Sequence, residues 1–253
     1  MTILITGSQG RIGQALLDRL PAQGWSLRGF DRVAGADVVG DITDPSALDQ
    51  AMAGVEAVVH LAGQPTEAPW PVIRHANIEG AFEVFEAARR GRVRRVVFAS
   101  TNHAVGFTPR GSEELAPDTE PRPDTLYGVS KAFGEALARY YVDRYGFQVA
   151  CLRIGTCADA PPDALSLATW LSFDDCAQLV DRCLRAPDLT FALIWGVSAN
   201  RDRWWSLDNP VGYQPTSDAA ALSLPAVPAT PTDHLVGGAF TGPPFGIDEI
   251  EAR

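Results

Sequence analysis

The chain has 253 residues, 46% of them hydrophobic and 21% charged. That apolar share is too high for a disordered chain, and the length suits one α/β unit. Lys and Arg number 21 against 31 Asp and Glu, a net charge of −10, which argues against nucleic acid or an anionic membrane surface as the main partner. No run nears the roughly 18 apolar residues needed to span a bilayer. The start, Met1-Thr2-Ile3-Leu4-Ile5-Thr6, has no basic stretch and no cleavage pattern, so a cytoplasmic protein is expected. Cys151, Cys157, Cys176 and Cys183 show neither CxxC spacing nor a paired His motif; they read as reduced, mostly buried thiols, with no metal site.

In chain order, Ile3–Ile5, Ser26–Phe30, Ala57–Leu61 and Val96–Ala99 have strand length and composition. Near-continuous apolar runs suit strands covered on both faces, as in a parallel sheet. Between them run helical patterns over Ile12–Leu20, Pro45–Met52 and about Pro69–Arg89, the last with Val72, Ala76, Phe82, Val84, Phe85 and Ala88 on one broad face. A turn-rich loop follows, then a long helix over Leu126–Tyr145, a strand at Val149–Ile154, a helix opening at Phe173-Asp174-Asp175, and a strand at Leu193–Trp195. Asp174 and Asp175 read as N-capping residues. Past Trp204-Trp205 the tail, with Ser223-Leu224-Pro225-Ala226-Val227-Pro228, reads as extended loop wrapping the body. This alternation predicts right-handed βαβ units in a doubly wound parallel sheet. Residues 1–253 form one expected domain, with 1–150 as a cofactor core and 151–253 adding substrate pocket and tail.

Gly7-Ser8-Gln9-Gly10-Arg11-Ile12-Gly13 sits between the first strand and the first helix. Glycines spaced in this way allow a tight turn whose backbone N–H groups approach a pyrophosphate at the helix N-terminus. A plain helix-start turn is the structural alternative. Asp31 ends the second strand, where a carboxylate accepts from both ribose hydroxyls and repels a 2′-phosphate. This favours NAD over NADP, although Arg32 and Arg11 lie within reach of a 2′-phosphate. Asp41 and Ile42, after the short strand Asp37–Val39, are placed to flank the adenine, with a turn role competing for Asp41.

Tyr127-Gly128-Val129-Ser130-Lys131 puts a phenol and an ammonium one helical turn apart. Lys131 is expected to lower the phenol pKa and make Tyr127 a usable acid/base in hydride chemistry. A solvated helix pair is the bland alternative. His60, inside an apolar strand, reads as structural. His75 and His234 carry no usable signal.

These motifs, in this order, resemble the extended short-chain dehydrogenases/reductases, the NAD-dependent epimerase/dehydratase superfamily, whose fold is Rossmann-type with a small C-terminal substrate-binding extension. The resemblance also covers Asn77 in the preceding helix, Thr101 after Ser100 as the catalytic hydroxyl, and Leu61-Ala62-Gly63 beside the nicotinamide. Within the family the chain is most similar to the uronate dehydrogenases, through Phe98–His103, Arg122–Lys131, Leu152–Cys157, Thr169-Trp170, Ser198-Ala199-Asn200 with Trp204-Trp205, and Gly237–Phe240.

What the resemblance implies is oxidation of the anomeric carbon of glucuronate or galacturonate, with NAD as cofactor and an aldarolactone as product. Tyr127 would take the hydroxyl proton and Lys131 would hold the ribose. Thr101 would bond the reacting oxygen, and Asn102, His103 and Thr156 would bind sugar hydroxyls, while Ile154 would line the cofactor. Leu165 and Pro65 stand where the pattern expects an Arg and a Ser. Arg74 is therefore expected to supply a charge for the uronate, and Trp70 to stack on the sugar. A neutral-sugar or polyol dehydrogenase is the alternative that Leu165 keeps open. A nucleotide-sugar epimerase/dehydratase and a non-catalytic dinucleotide sensor are further ones. By family analogy the Tyr127 helix and the Pro69–Arg89 helix would be the faces of a homo-oligomer; a monomer is equally compatible.

Overall fold

Short Val- and Ile-rich runs separated by amphipathic helices leave the chain one economical solution, a parallel sheet covered on both faces. The computed structural model describes residues 1–162, 165–222 and 233–251. Elements run β1 (Thr2–Thr6), α1 (Arg11–Arg19), β2 (Ser26–Asp31), β3 (Val38–Val39), α2 (Pro45–Met52), β4 (Ala57–His60), α3 (Trp70–Ile73), α4 (Gly80–Arg90) and β5 (Arg95–Thr101). They continue as α5 (Leu126–Tyr145), β6 (Gln148–Ile154), β7 (Thr156–Cys157), β8 (Trp170–Leu171), α6 (Phe173–Arg185), β9 (Phe191–Gly196) and α7 (Ile247–Glu251).

Seven strands form one sheet in the order β3-β2-β1-β4-β5-β6-β9, every neighbouring pair parallel. The order reverses between β1 and β4, so the loops at their carboxyl ends diverge and leave a crevice there, the usual ligand position in such sheets. Ile3, Ile5, Val59, Val97 and Leu152 pack with α1 and α6 on one face; Leu4, Val58, Val96, Phe98 and Cys151 pack with α2, α4 and α5 on the other. The doubly wound, Rossmann-type expectation holds.

Helix starts follow local chemistry. Asp44 accepts from the Ser46 and Ala47 amides with Pro45 following it, and Thr125 caps α5 through the Gly128 amide. At α6 the cap is Ser172, not the aspartates expected. Asp174 pairs instead with Arg19, and buried Asp175 accepts from Ser198 Oγ and the Thr216 and Ser217 amides.

Two further expectations change. The helix expected over 69–89 is interrupted by a π-helical stretch, Arg74–Glu79, between α3 and α4, which no sequence feature marked. Val72 and Phe82 are exposed. The buried arc is narrower and runs through Ile73, Asn77, Ala81, Val84, Phe85 and Ala88, with Phe82 about 100° away from its centre at 100° per residue. The tail also holds more local order than a loop, with turns of 3-10 helix at Gly238–Thr241 and Pro243–Phe245 ahead of α7. The stretch Ser223–Pro228 lies outside the described residues.

A buried ion pair ties α5 to the sheet. Arg153 on β6, fully buried, donates Nε and Nη2 to Glu135 Oε1 and Oε2 at 2.9 and 2.8 Å. Its Nη1 donates to the Pro117 and Thr119 carbonyls, and Ser100 Oγ donates to Glu135 at 2.5 Å. Removing one member strands the other as an unpaired buried charge. Arg153→Met is therefore expected to cost about 3–5 kcal/mol, read as a lower urea midpoint with an unchanged slope.

Candidate active site

The crevice over β1 and β4 opens into a single cleft of about 1380 Å³ that runs from Asp31 and Asp41 at one end to Thr156, Thr169 and Phe240 at the other. Its floor is the turn after β1. Gly7 has φ +74°, and a Cβ there would sit 2.7 Å from the Ala62 nitrogen; a Cβ on Gly13 would fall 2.3 Å from the Gly7 carbonyl oxygen. Only glycine lets this turn, helix α1 and the end of β4 approach so closely. The result is a backbone cradle at a helix N-terminus, lined by Gln9, Gly10, Arg11 and Ile12, which fits a pyrophosphate. The cofactor that such a cradle implies is NAD, and Asp31 supports it. That carboxylate lines the cleft while accepting from the Gln9 and Val33 amides at 2.9 and 3.2 Å, so it is held at the strand end facing the site. Arg32 also lines that end.

Asp41, Ile42, Leu61, Ala62, Gly63 and Ile154 all line the cleft. Asp41 accepts from Thr43 and pairs with His75 at 3.2 Å, contacts that hold its carboxyl below its ordinary pKa, the Thr43 bonds contributing most. His75, given no role from sequence, thus belongs to this end of the site.

The opposite wall is built by β5 and α5. Thr101 ends β5; its hydroxyl accepts from the His103 amide, donates to Asn102 Oδ1 at 3.4 Å, and stands close enough to the Tyr127 phenol to pull its pKa down against burial. Ser100, one residue earlier, points the other way and donates to Glu135. The alternation of a strand thus makes Thr101 the hydroxyl beside the phenol. Lys131 donates Nζ to the Ala99 carbonyl at 2.9 Å and lies 5.9 Å from the Tyr127 ring centroid. His103 bonds Asp124 at 2.8 Å through Nδ1, and its ring sits 6.1 Å from that of Tyr127. Asn102 and Thr156 line the same end, Thr156 bonded to Thr169.

The expectation that Lys131 lowers the phenol pKa is not met. Burial outweighs every other influence and raises Tyr127 to about 12, with the Thr101 hydrogen bond opposing. Burial likewise lowers Lys131 to about 8. Both charged forms lack the water that would solvate them.

Three other residues move out of their expected places. Asn77 is buried but does not reach the cleft; its amide accepts from the Gln64 N–H and donates to the Gln64 carbonyl and Ser130 Oγ. It clamps the loop after β4 to α5, a positioning task. Trp70 and Arg74 sit one turn apart on the solvent side of the buried Ile73–Asn77 edge. Trp70 is exposed, and Arg74 pairs with Glu79 in solvent. Neither lines the cleft, so Arg74 does not replace the charge missing at Leu165.

Sequence reasoning also missed cleft residues. Arg110, Asp233 and Val236 line the substrate end together with Gly237–Phe240, because the segment after Gly106 pairs with the tail through a Pro109–Leu235 bridge. In the sequence Gly237–Phe240 stands out only by its similarity to the family. Arg110 carried no local signal, since only this long-range pairing brings it in. Glu67 was missed too: it is buried, accepts from the Tyr127 amide at 2.7 Å and has its pKa raised, chiefly by burial.

The model of the family described as "NAD dependent epimerase/dehydratase family" matches residues 3–158. A uronate dehydrogenase of Agrobacterium fabrum is 39% identical over 96% of this chain and 97% of its own length. An NAD-dependent glucose-6-phosphate dehydrogenase of Haloferax volcanii is 38% identical over 89% of this chain and 97% of its own. Among solved structures, a mutant uronate dehydrogenase from Agrobacterium tumefaciens complexed with NAD superposes with a TM-score of 0.87 at 37% identity, covering 95% of this chain and 96% of that one.

His60 gives a pH prediction. It is fully buried, shares a 2.8 Å hydrogen bond with Thr6 Oγ1, and has its pKa lowered to about 3, first by burial and then by Lys131. The unfolded chain binds the proton near pH 6.5 and the native state does not, so stability is lost as pH falls through the window from about 6.5 toward 3. The thermal midpoint of His60→Gln should fall less steeply between pH 7 and pH 4 than that of the wild type.

Proposed function

The chain belongs to the NAD-dependent epimerase/dehydratase family, and on that premise we propose that it oxidises the anomeric carbon of a hexuronate, glucuronate or galacturonate, to the aldarolactone. What carries this reading is the Tyr127 phenol and the Thr101 hydroxyl lining one cleft with the glycine cradle, in a chain similar almost end to end to uronate dehydrogenases. When bound, NAD supplies the hydride acceptor and, in its oxidised form, a positive ring that favours the phenolate.

Tyr127, as its phenolate, accepts the proton of the anomeric hydroxyl. Thr101 donates to the same sugar oxygen and fixes its distance from the phenol. Lys131, anchored by the Ala99 carbonyl, keeps a positive charge 5.9 Å from the phenol ring centroid and would hold the ribose hydroxyls of bound NAD. His103, oriented through Nδ1 by Asp124, and Asn102 hold the ring hydroxyls, with Thr156 at the far side. The burial that raises the phenol pKa also excludes water, so the charges that remain act at short range in a medium of low dielectric.

A neutral-sugar dehydrogenase is the second reading, favoured by Leu165 in place of a cation and by Arg74 facing solvent. An L-arabinose 1-dehydrogenase (NAD(P)(+)) of Haloferax volcanii is also 37% identical over 87% of this chain. The proposal includes a cytoplasmic location, supported by four free, buried cysteines; no described helix is long and apolar enough to cross a membrane. It also includes association of copies through α4 and α5, where Phe82 and Phe133 are exposed and line one shallow groove.

The deciding experiment measures NADH formation with glucuronate, galacturonate, glucose, glucose 6-phosphate and arabinose. Turnover at least tenfold faster, as kcat/KM, on the two uronates is expected, a margin of about 1.4 kcal/mol; turnover confined to the others overturns the assignment. Tyr127→Phe should lose about 10²–10⁴ in kcat while still binding NAD in calorimetry.

A further inference from the structure

We propose that Arg110 recognises the C6 carboxylate of the hexuronate and is the specificity determinant of this site, an inference that rests on the function just proposed. A carboxylate entering a water-poor cleft calls for a charge-assisted donor, best a guanidinium that meets both oxygens. The other cations of the cleft belong to other parts of it. Arg11 opens α1 beside the glycine cradle and Arg32 follows Asp31 at the end of β2, which places their backbones at the dinucleotide end, and His75 is paired with Asp41 and Glu79. Lys131 is held by the Ala99 carbonyl below the phenol. The turn Leu165–Leu167 brings no charge, and Arg74 faces solvent. Arg110 is the remaining guanidinium among the described lining residues, and it stands at the substrate end.

Its placement is preorganised. The Arg110 amide donates to the His234 carbonyl at 2.8 Å, and Nε donates to the Leu235 carbonyl at 3.0 Å. The guanidinium lies over the Trp204 ring, 4.3 Å from its centroid. Nη2 would stand 3.9 Å from a Cβ on Gly238, which has none, so no side chain from that cleft residue stands in front of it. The same pairing continues through Val236 to Thr108 and Gly237 to Gly106, and ends at Phe240, whose ring lies 4.2 Å from His103. Arg110 and His103 are thus anchored to one short two-stranded segment, so a sugar whose hydroxyls meet His103 presents its C6 substituent along that segment. Partial burial strips water from the guanidinium, with Asp233, also on the cleft wall, as the counter-charge that opposes the effect.

The test is the ratio of kcat/KM for glucuronate to that for glucose, in the wild type, Arg110→Met and Arg110→Lys. Arg110→Met should lower the ratio about 10- to 100-fold, mainly through KM for the uronate. Arg110→Lys should fall between, because it keeps the charge and loses the fork. NAD binding measured by calorimetry reports whether each variant is folded. A ratio unchanged in Arg110→Met overturns the inference, and so does an equal loss on both sugars with NAD binding intact. If Arg110→Met loses NAD binding, the ratio in Arg110→Lys decides: a fall supports the inference and no change overturns it. Absence of uronate turnover in the wild type overturns the proposed function itself, and is read before any variant is made.

Discussion

The docking of α5 against β5 and β6 is the contact on which the site depends. At its centre Gly134 meets Phe98 so closely that an added Cβ would fall 2.2 Å from the ring. One residue on, Glu135 is locked by Arg153 and Ser100. A steric stop and a bidentate ion pair at successive residues fix both the rotation and the axial position of the helix. Lys131 and Tyr127 lie one and two turns upstream on the same rigid rod, so the placement of the phenol beside Thr101 is set by packing two turns away. At the helix start, Glu67 and Thr125 hold the first amides in place.

Desolvation dominates the electrostatics of the reacting wall. Tyr127 rises and Lys131 falls for the same reason, since neither charged form has water around it. A lysine one turn from a tyrosine therefore does not by itself make an acidic phenol. In the proposed reaction the phenolate has to be favoured by groups that arrive with cofactor and substrate, which would couple proton abstraction to a filled cleft. His60, directly behind this wall, is kept neutral by the same burial and by the charge of Lys131.

The substrate end is assembled from distant pieces. Asp124, which orients His103, is covered by Gly106 and Gly237, either of which would collide with it through a Cβ. Trp195 and Trp205 stack at 4.6 Å and 7°, and with Val105, Val197 and Val236 they make a separate apolar cluster that pins the tail to the sheet. This cluster is how the C-terminal extension becomes part of a cleft whose dinucleotide cradle is built by the turns after β1, β2 and β4. Specificity can then vary in the tail-facing residues without disturbing the cradle.

Features that depend on near neighbours in the chain were legible in the sequence. The strands and most helices follow from local periodicity, and the glycine cradle and Asp31 follow from the order of strand, turn and helix. The Tyr127–Lys131 pair follows from helical spacing, and the preference for Thr101 over Ser100 follows from the family resemblance, with strand alternation as its physical reason. What could not be read was anything set by contact between distant segments. Trp70 and Arg74 looked suitable for a sugar, but rotation of their helix turns them to solvent. Asn77 looked catalytic, but the fold spends its amide on Gln64 and Ser130. Arg110 and Glu67 looked unremarkable until the loops that carry them were folded against the tail and against α5. The division has a physical cause: backbone periodicity and turn chemistry act over a few residues, whereas the direction of a side chain and the water around it depend on segments 60 to 130 positions away, such as Tyr127 on Glu67 and Arg110 on Leu235.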